Sequence, residues 1–390
     1  MLYLIAWLTD CALILFVFSS TRVLADAQAD AMTLGTLGAA FFLASAISNA
    51  VSGRLSDRIG RRIVAISGAG CLVVSLSVVV VFDQGGWAFY VAYTCVGLSV
   101  GQVYPPVISL LSLGSGHRSA SRRFLLFGLA FNCGILCGQV GGGWLYDNID
   151  HRAPLLVAVA LAVVTLLCLL SFHEPDPGTD DNVGSAPVPE SDRASARCFT
   201  QLAWLANFAG MFSMSTLWFL FPKLAVALKI PADNHGVVLG VGRATVMAVY
   251  ILMHVATEWQ HRFRFSVIVQ LLGLLGMVLV YVSSTAVALA TGVVLLSLLL
   301  GYNYFASLFY NREANDDRQK GKAFGLNEAF LGLGAAGGAL LGGWAASDWG
   351  ERAPFQMSAV LIAVSLVVQL AWFTSQRRSP KEASTTGDHG

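Results

Sequence analysis

Gly53-Arg54-Leu55-Ser56-Asp57-Arg58-Ile59-Gly60-Arg61-Arg62 is the stretch on which the fold turns. Four of its ten residues are arginine, and a glycine stands near each end. On either side lies an apolar run, 32–52 before it and 63–82 after it. Each run is about 20 residues long, the length that crosses a bilayer core as a helix. The stretch therefore reads as a tight basic turn between two membrane spans. Gly53 and Gly60 allow a sharp turn and close backbone approach. Asp57 can sit near a helix N-terminus and accept from arginines or amides, an interaction that one state of a moving protein could break. Arg54, Arg58, Arg61 and Arg62 also anchor the turn on the cytoplasmic side.

Outward from this turn the pattern repeats. Apolar runs of similar length cover 2–25, 87–113, 123–146, 153–172, 199–221, 236–257, 265–283, 286–310, 323–346 and 353–375, which makes twelve spans in all. Of the 390 residues 56% are hydrophobic and 12% charged, with a net charge of +1. Soluble domains carry about 25% charged residues, so this composition excludes a soluble enzyme, a disordered chain and a nucleic-acid-binding domain. The expectation is an all-α polytopic membrane protein. The first run carries Asp10 and no basic leader, and so reads as a retained helix and not a signal peptide. All seven cysteines lie in or beside apolar runs; Cys133 and Cys137, one turn apart, read as packing residues. No cofactor and no metal site are expected.

Basic residues give the orientation. Eighteen of the 24 lysines and arginines fall on the side that holds Arg54–Arg62, five fall on the other, and Arg243 lies within a span. Both termini are then expected in the cytoplasm, in a plasma membrane (the inner membrane of a Gram-negative cell). Residues 173–198 are polar and rich in proline, and read as a cytoplasmic linker. The linker separates a bundle over 1–172 from a second over 199–375, with a tail over 376–390. The halves look related. Gly134, Gly138, Gly142, Gly143 and Trp144 recur 200 residues on as Gly334, Gly338, Gly342, Gly343 and Trp344, followed in both by Arg-Ala-Pro. Gly101 and Tyr104 recur as Gly301 and Tyr304 at the same offset, while Ala6-Trp7-Leu8 recurs as Ala203-Trp204-Leu205 and Phe127-Gly128-Leu129 as Phe324-Gly325-Leu326 at 197. Duplicated halves suit a transporter that rocks about a central site; a duplicated scaffold is the alternative.

The 53–62 turn resembles the signature of the major facilitator superfamily, Gly-x-Leu-x-Asp-Arg-x-Gly-Arg-Arg/Lys, at every defined position. The likeness spans the chain: twelve spans, a 6+6 repeat, a central linker and inward termini. It implies two pseudo-symmetric six-helix bundles. It also implies conformational gating by Gly53, Asp57, Arg58, Gly60, Arg61 and Arg62, without contact to substrate. The family's fifth-span signature, Gly-x-x-x-Gly-Pro-x-x-Gly-Gly, is matched at Gly134, Gly138, Gly142 and Gly143, but Gln139 stands where the proline would be. That departure leaves the direction of transport open. The glycines of this span and of the eleventh are expected to let helices pack closely.

A charge inside a span is costly, about 3 kcal/mol on insertion scales, and marks a functional candidate. Asp10, Arg243 and Glu328 are such charges. Burial disfavours a carboxylate's charge and a nearby cation favours it, so Asp10 is the first candidate for proton coupling and Glu328 the second. Arg243, Met247, Tyr250 and His254 form one helical stripe. Arg243 reads as a substrate or ion-pair group, with local structural pairing as the alternative; His254 reads as solvated. Gln102, Tyr104, Asn132, Asn207, Asn303 and Asn327 complete the candidate cavity. Pro105-Pro106 should bend or break the fourth span. The expected protein is a monomeric secondary transporter of a small organic solute, with protons as coupling ion, embedded in lipid and without nucleic-acid partners. A transporter-like sensor without net flux is the alternative. No nucleophile with a base appears, so an enzyme is not expected.

Overall fold

The computed structural model describes residues 1–82, 86–112, 117–172, 190–314 and 317–382. These residues form thirteen helices: α1 (Leu2–Asp26), α2 (Ala31–Ile59), α3 (Arg61–Val81), α4 (Trp87–Ser112), α5 (His117–Asn148), α6 (Ala153–Ser171), α7 (Glu190–Phe219), α8 (Phe221–Ala227), α9 (Ala232–Val255), α10 (Phe263–Val282), α11 (Ala286–Ala314), α12 (Asp317–Trp349) and α13 (Ala353–Glu382). Eleven are long and apolar enough to cross a membrane, and α7 with α8 forms a twelfth span bent by 45°. The bend falls where Pro222 has no amide hydrogen to offer the carbonyl one turn back in α7. Three spans, α6, α10 and α13, bury only 33% of their most apolar window, against 78% for α1, which puts them at the periphery.

Several helices outrun the apolar runs that announced them. α5 starts at His117, α12 at Asp317, α7 at Glu190, and α13 continues to Glu382. Polarity marks where a helix leaves lipid, not where its hydrogen bonding stops. The expected linker is thus helical from Glu190 onward, while 173–189 lie outside the described residues, as do 383–390 of the expected tail. The expected break in α4 does not occur either: the helix runs through Pro105 and Pro106. Just before them α4 is clamped on α2, where a Cβ on Gly101 would meet Ser48 Cβ at 2.5 Å and Ser45 O at 2.6 Å. The seven cysteines are free.

The signature turn is a single-residue joint. Gly60 has φ +103°, a conformation that glycine adopts without steric cost, and its amide closes the last turn of α2 on Ser56 O at 3.1 Å. Gly53 does not make the close approach expected of it, since a Cβ there would meet no atom within 4 Å. Arg62 bonds the carbonyls of Leu169 and Leu170, tying α3 to α6. The Asp57 side chain lies outside the described residues.

Glycines carry the packing inside each half. α5 lies on α1, where Gly134 faces Trp7 O, and an added Cβ would come within 3.0 Å of Cys11 O at Gly138 and within 3.1 Å of Phe18 at Gly142. α12 lies on α7 in the same way: Gly334 faces Phe208 O, Gly338 faces Phe212 O, and a Cβ added at Gly342 would come within 2.6 Å of Leu220 Cδ1. These contacts pair Trp7 with Phe208 and Cys11 with Phe212, an offset of 201. The matching tripeptides Ala6-Trp7-Leu8 and Ala203-Trp204-Leu205 are therefore one helical turn out of structural register, because the fit of glycine to carbonyl sets the pairing.

Between the halves the same device appears twice. Gly143 of α5 faces Ala232 O of α9, and Gly236 of α9 faces Gln139 O. On the other side Gly343 of α12 faces Ala31 O of α2, and Gly35 of α2 faces Ala339 O, where added Cβ atoms would come within 2.9 Å and 2.6 Å. Hydrogen bonds join the halves at this end: Arg22 to Ile230 O at 3.1 Å, Lys223 to Ala29 O at 2.5 Å, the Asp233 amide to Asp147 at 2.8 Å and Ser347 to Asp30 at 2.6 Å. Halfway along, the approach relaxes, and a Cβ added at Gly128 or Gly332 would meet Tyr250 or Ala46 at an ordinary 3.4 Å. The bundle is sealed at the end that holds residues 27–30 and loosens toward the end that holds the basic turn.

Candidate functional site

Below the seal, side chains from both halves meet near the middle of their spans. Asp10 of α1 is 6% exposed and accepts a hydrogen bond from the Tyr104 hydroxyl of α4. It finds room because Gly134 of α5 packs beside it; a Cβ there would lie 3.1 Å from Asp10 Cβ. Asn132, also on α5, is fully buried and donates to Gly128 O at 2.8 Å.

From the second half, α9 brings Arg243 and Tyr250 to the same place. The Arg243 guanidinium is 7% exposed, lies 4.8 Å over the Trp218 ring of α7, and is within electrostatic reach of Asp10. Its Nε and Nη2 are buried without a hydrogen-bond partner. Tyr250 stacks on Tyr304 of α11 at 6.3 Å and 20°. The Tyr304 hydroxyl lies near the Glu328 carboxylate of α12, and Asn327 donates to Glu328 at 3.3 Å. Asn207 of α7 in turn donates to Asn327 at 3.1 Å. A run of polar groups thus leads from Tyr104 and Asp10 across the middle to Glu328, which is exposed.

Seven of the nine expected cavity residues come together here, Asp10, Tyr104, Asn132, Asn207, Arg243, Tyr250 and Asn327, along with Glu328, the second expected coupling group. Two do not. Gln102 turns toward α3, where Ser67 donates to it at 3.4 Å. Asn303 turns toward α10, accepting from Ser266 at 3.3 Å and donating to Leu299 O at 2.9 Å. The helical period explains both. Neighbours along a helix differ by about 100°, so Gln102 cannot share a face with Tyr104, nor Asn303 with Tyr304. His254, at the basic end of the α9 stripe, is exposed.

Three residues of the site stand outside the expected cavity set. Trp218 continues the stripe Asn207, Met211, Met214 by one more step of four, which is the signal that could have found it. Tyr304 is signalled by its repeat partner Tyr104 and by its polar neighbours in the same span, and Gln139 by sharing a polar face with Asn132. Gln139, with its amide oriented to satisfy both neighbours, accepts from Trp218 Nε1 at 3.2 Å and donates to Leu239 O at 3.1 Å. The side chain that replaces the expected proline thereby fixes the tryptophan over Arg243.

The family model of the Major Facilitator Superfamily matches residues 2–313 and 204–389. The chain belongs to this superfamily. Among curated relatives, it is 25% identical over 349 residues to the Quinolone resistance protein NorA of Staphylococcus aureus (strain MRSA252), covering 86% of each chain. It is 24% identical over 353 residues to Multidrug resistance protein 1 of Bacillus subtilis (strain 168), covering 87% of each. In fold it resembles the nucleoside transporter NupG (TM-score 0.75, 13% identity, 95% of this chain and 98% of that one). It also resembles a bacterial homolog of the human lysosomal transporter Spinster (TM-score 0.69, 14% identity, 95% and 94%). As a member of the superfamily the protein is a multi-pass membrane transporter of a small molecule, and not an enzyme.

Proposed function

We propose that this transporter moves a small organic solute by alternating access and couples the movement to protons through Asp10 and Glu328. The observation that carries the reading is the pair of carboxylates set into one polar run between halves that are sealed at one end and loose at the other. A carboxylate set beside a tyrosine hydroxyl changes its surroundings when the halves rock, and a change of surroundings is what binds or releases a proton. Relatives named for quinolone and multidrug resistance support an organic, aromatic cargo, as does the aromatic lining of Trp218, Tyr250 and Tyr304.

The excess of basic residues at the loose end supports a cytoplasmic location for that end and for both termini, so the conformation is inward-open. In this reading bundles 1–172 and 199–375 move as monomeric rigid halves, and the 53–62 turn acts when the cytoplasmic end closes. Gln102 and Asn303 serve packing inside their own halves. Flux in proteoliposomes under an imposed pH gradient tests the coupling. Asp10→Asn and Glu328→Gln should each remove the dependence on the gradient while counterflow persists; gradient-driven flux in both variants would refute it. Ligand binding by wild type with no flux at all would support a sensor in place of a transporter.

A further inference from the structure

We propose that Arg243, roofed by Trp218, is the binding site for the carboxylate of a planar aromatic solute. The proposal rests on the transporter reading and names the substrate class of that cavity. A guanidinium binds a carboxylate best through two parallel N–H groups. The Nε and Nη2 edge is one such fork, and in Arg243 these two atoms are buried without a partner. A buried cation left unpaired is costly, and breaking a buried pair costs several kcal/mol for the same reason. Among the described residues the ion pairs involve Arg22, His151 and His261, and Arg243 joins none of them. Its facing carboxylate, Asp10, is engaged by Tyr104.

The ring faces around this fork set the rest of the ligand's shape. Trp218 covers the guanidinium at 4.8 Å and is itself stacked on Phe42 of the other half at 6.1 Å and 15°. Tyr250, two stripe positions below Arg243, presents its ring stacked on Tyr304. An aromatic acid with its anion on the fork would reach these rings once the halves part, and aromatic pairs of this kind add to simple burial. Asp10 and the solute carboxylate then compete for one cation. A solute anion is best accommodated when Asp10 carries a proton, which ties cargo to the coupling group without a further device.

Equilibrium binding to the full-length protein in nanodiscs tests this, with 2-naphthoate as probe and 2-naphthamide as its uncharged counterpart. Wild type should prefer the carboxylate by about tenfold or more, the order expected of a charge-assisted pair. Arg243→Gln should abolish that preference, with both probes still binding measurably as the sign of an intact site. Arg243→Lys keeps the charge and loses the fork, so its preference should fall between the two. Lack of preference in wild type, or full preference in either variant, would overturn the proposal. Arg243-dependent naphthoate binding without flux would sink the transporter reading and leave this one standing. Proton-driven flux of an uncharged solute that survives Arg243→Gln, with no carboxylate preference, would do the reverse.

Discussion

The two ends of the bundle are built by different means. At the sealed end the halves meet backbone to backbone: Gly143 and Gly236 on one side, Gly343 and Gly35 on the other, each face a carbonyl across the seam. At the basic end Arg62 holds together two helices of one half, α3 and α6. Close backbone packing leaves almost no tolerance, whereas long side chains bend and re-pair. The sealed end should therefore respond steeply to one added methyl group, and the basic end should not.

The largest effect is expected from Gly143→Val and Gly343→Val. Overpacking costs about 1–3 kcal/mol, equivalent to roughly 5–150-fold in the balance between sealed and open states. Spin labels at Asp150 and Lys229 should report a wider distance across the sealed end, and flux should fall in proportion. The two seams are separate copies of one contact, so the double variant should show additive shifts. A lowered melting temperature with unchanged label distance would mean that these glycines pack the halves without gating them.

Arg22→Gln comes next. Its guanidinium bonds Ile230 O through two nitrogens at 3.1 Å and Asp26 at 3.2 Å while only 7% exposed. Hydrogen bonds to a charged group contribute about 1.5–3 kcal/mol, but a glutamine can keep part of this, so the same labels should move in the same direction and less far. Arg62→Gln supplies the control at the basic end. It should lower the melting point slightly, by roughly 0.5–1.5 kcal/mol of stability, and leave the distance between halves unchanged. A shift in that distance would mean that the basic turn also governs the sealed end, and the contrast between the ends would fail.

The sequence made the fold readable because lipid enforces a simple pattern. Every span needs its apolar run, and the basic turn, the repeated glycines and the family signature agree with one another. Half of the site was readable by the same logic, since a charge inside a span announces itself. The rest depended on rotation about helix axes. Gln102 and Asn303 sit one or two positions from residues that do face the centre, and polarity alone could not choose between neighbours. Trp218 was hidden for the opposite reason: in a chain with nine tryptophans, an aromatic residue in a span carries little information until its partner is seen. Gln139 looked like a defect in a motif, and only its contact with Trp218 gives it a role.

The smallest expected effect is a response to acid at the sealed end. Asp30, at the N-terminus of α2, accepts from the Ser347 hydroxyl of α12 at 2.6 Å and from the Met32 amide at 3.4 Å. The Ser347 bond, with lesser help from backbone amides and Lys223, holds its carboxyl below the usual carboxylate range. A carboxyl whose value is lowered in the sealed state favours that state while it is ionised. Its contribution is complete above the ordinary value of about 4 and is lost as pH falls through the sealed-state value. Because Asp30 is exposed, solvent screens the interaction and the shift should be small. Acidifying the solution on that side below about pH 4 should widen the Asp150–Lys229 label distance slightly in wild type. Ser347→Ala removes the first cause of the lowered value and should flatten the response, and Asp30→Asn should abolish it. An unchanged acid response in Asp30→Asn would trace the effect to another group at the seal, with the Asp147 carboxylate that accepts from the Asp233 amide the first to test.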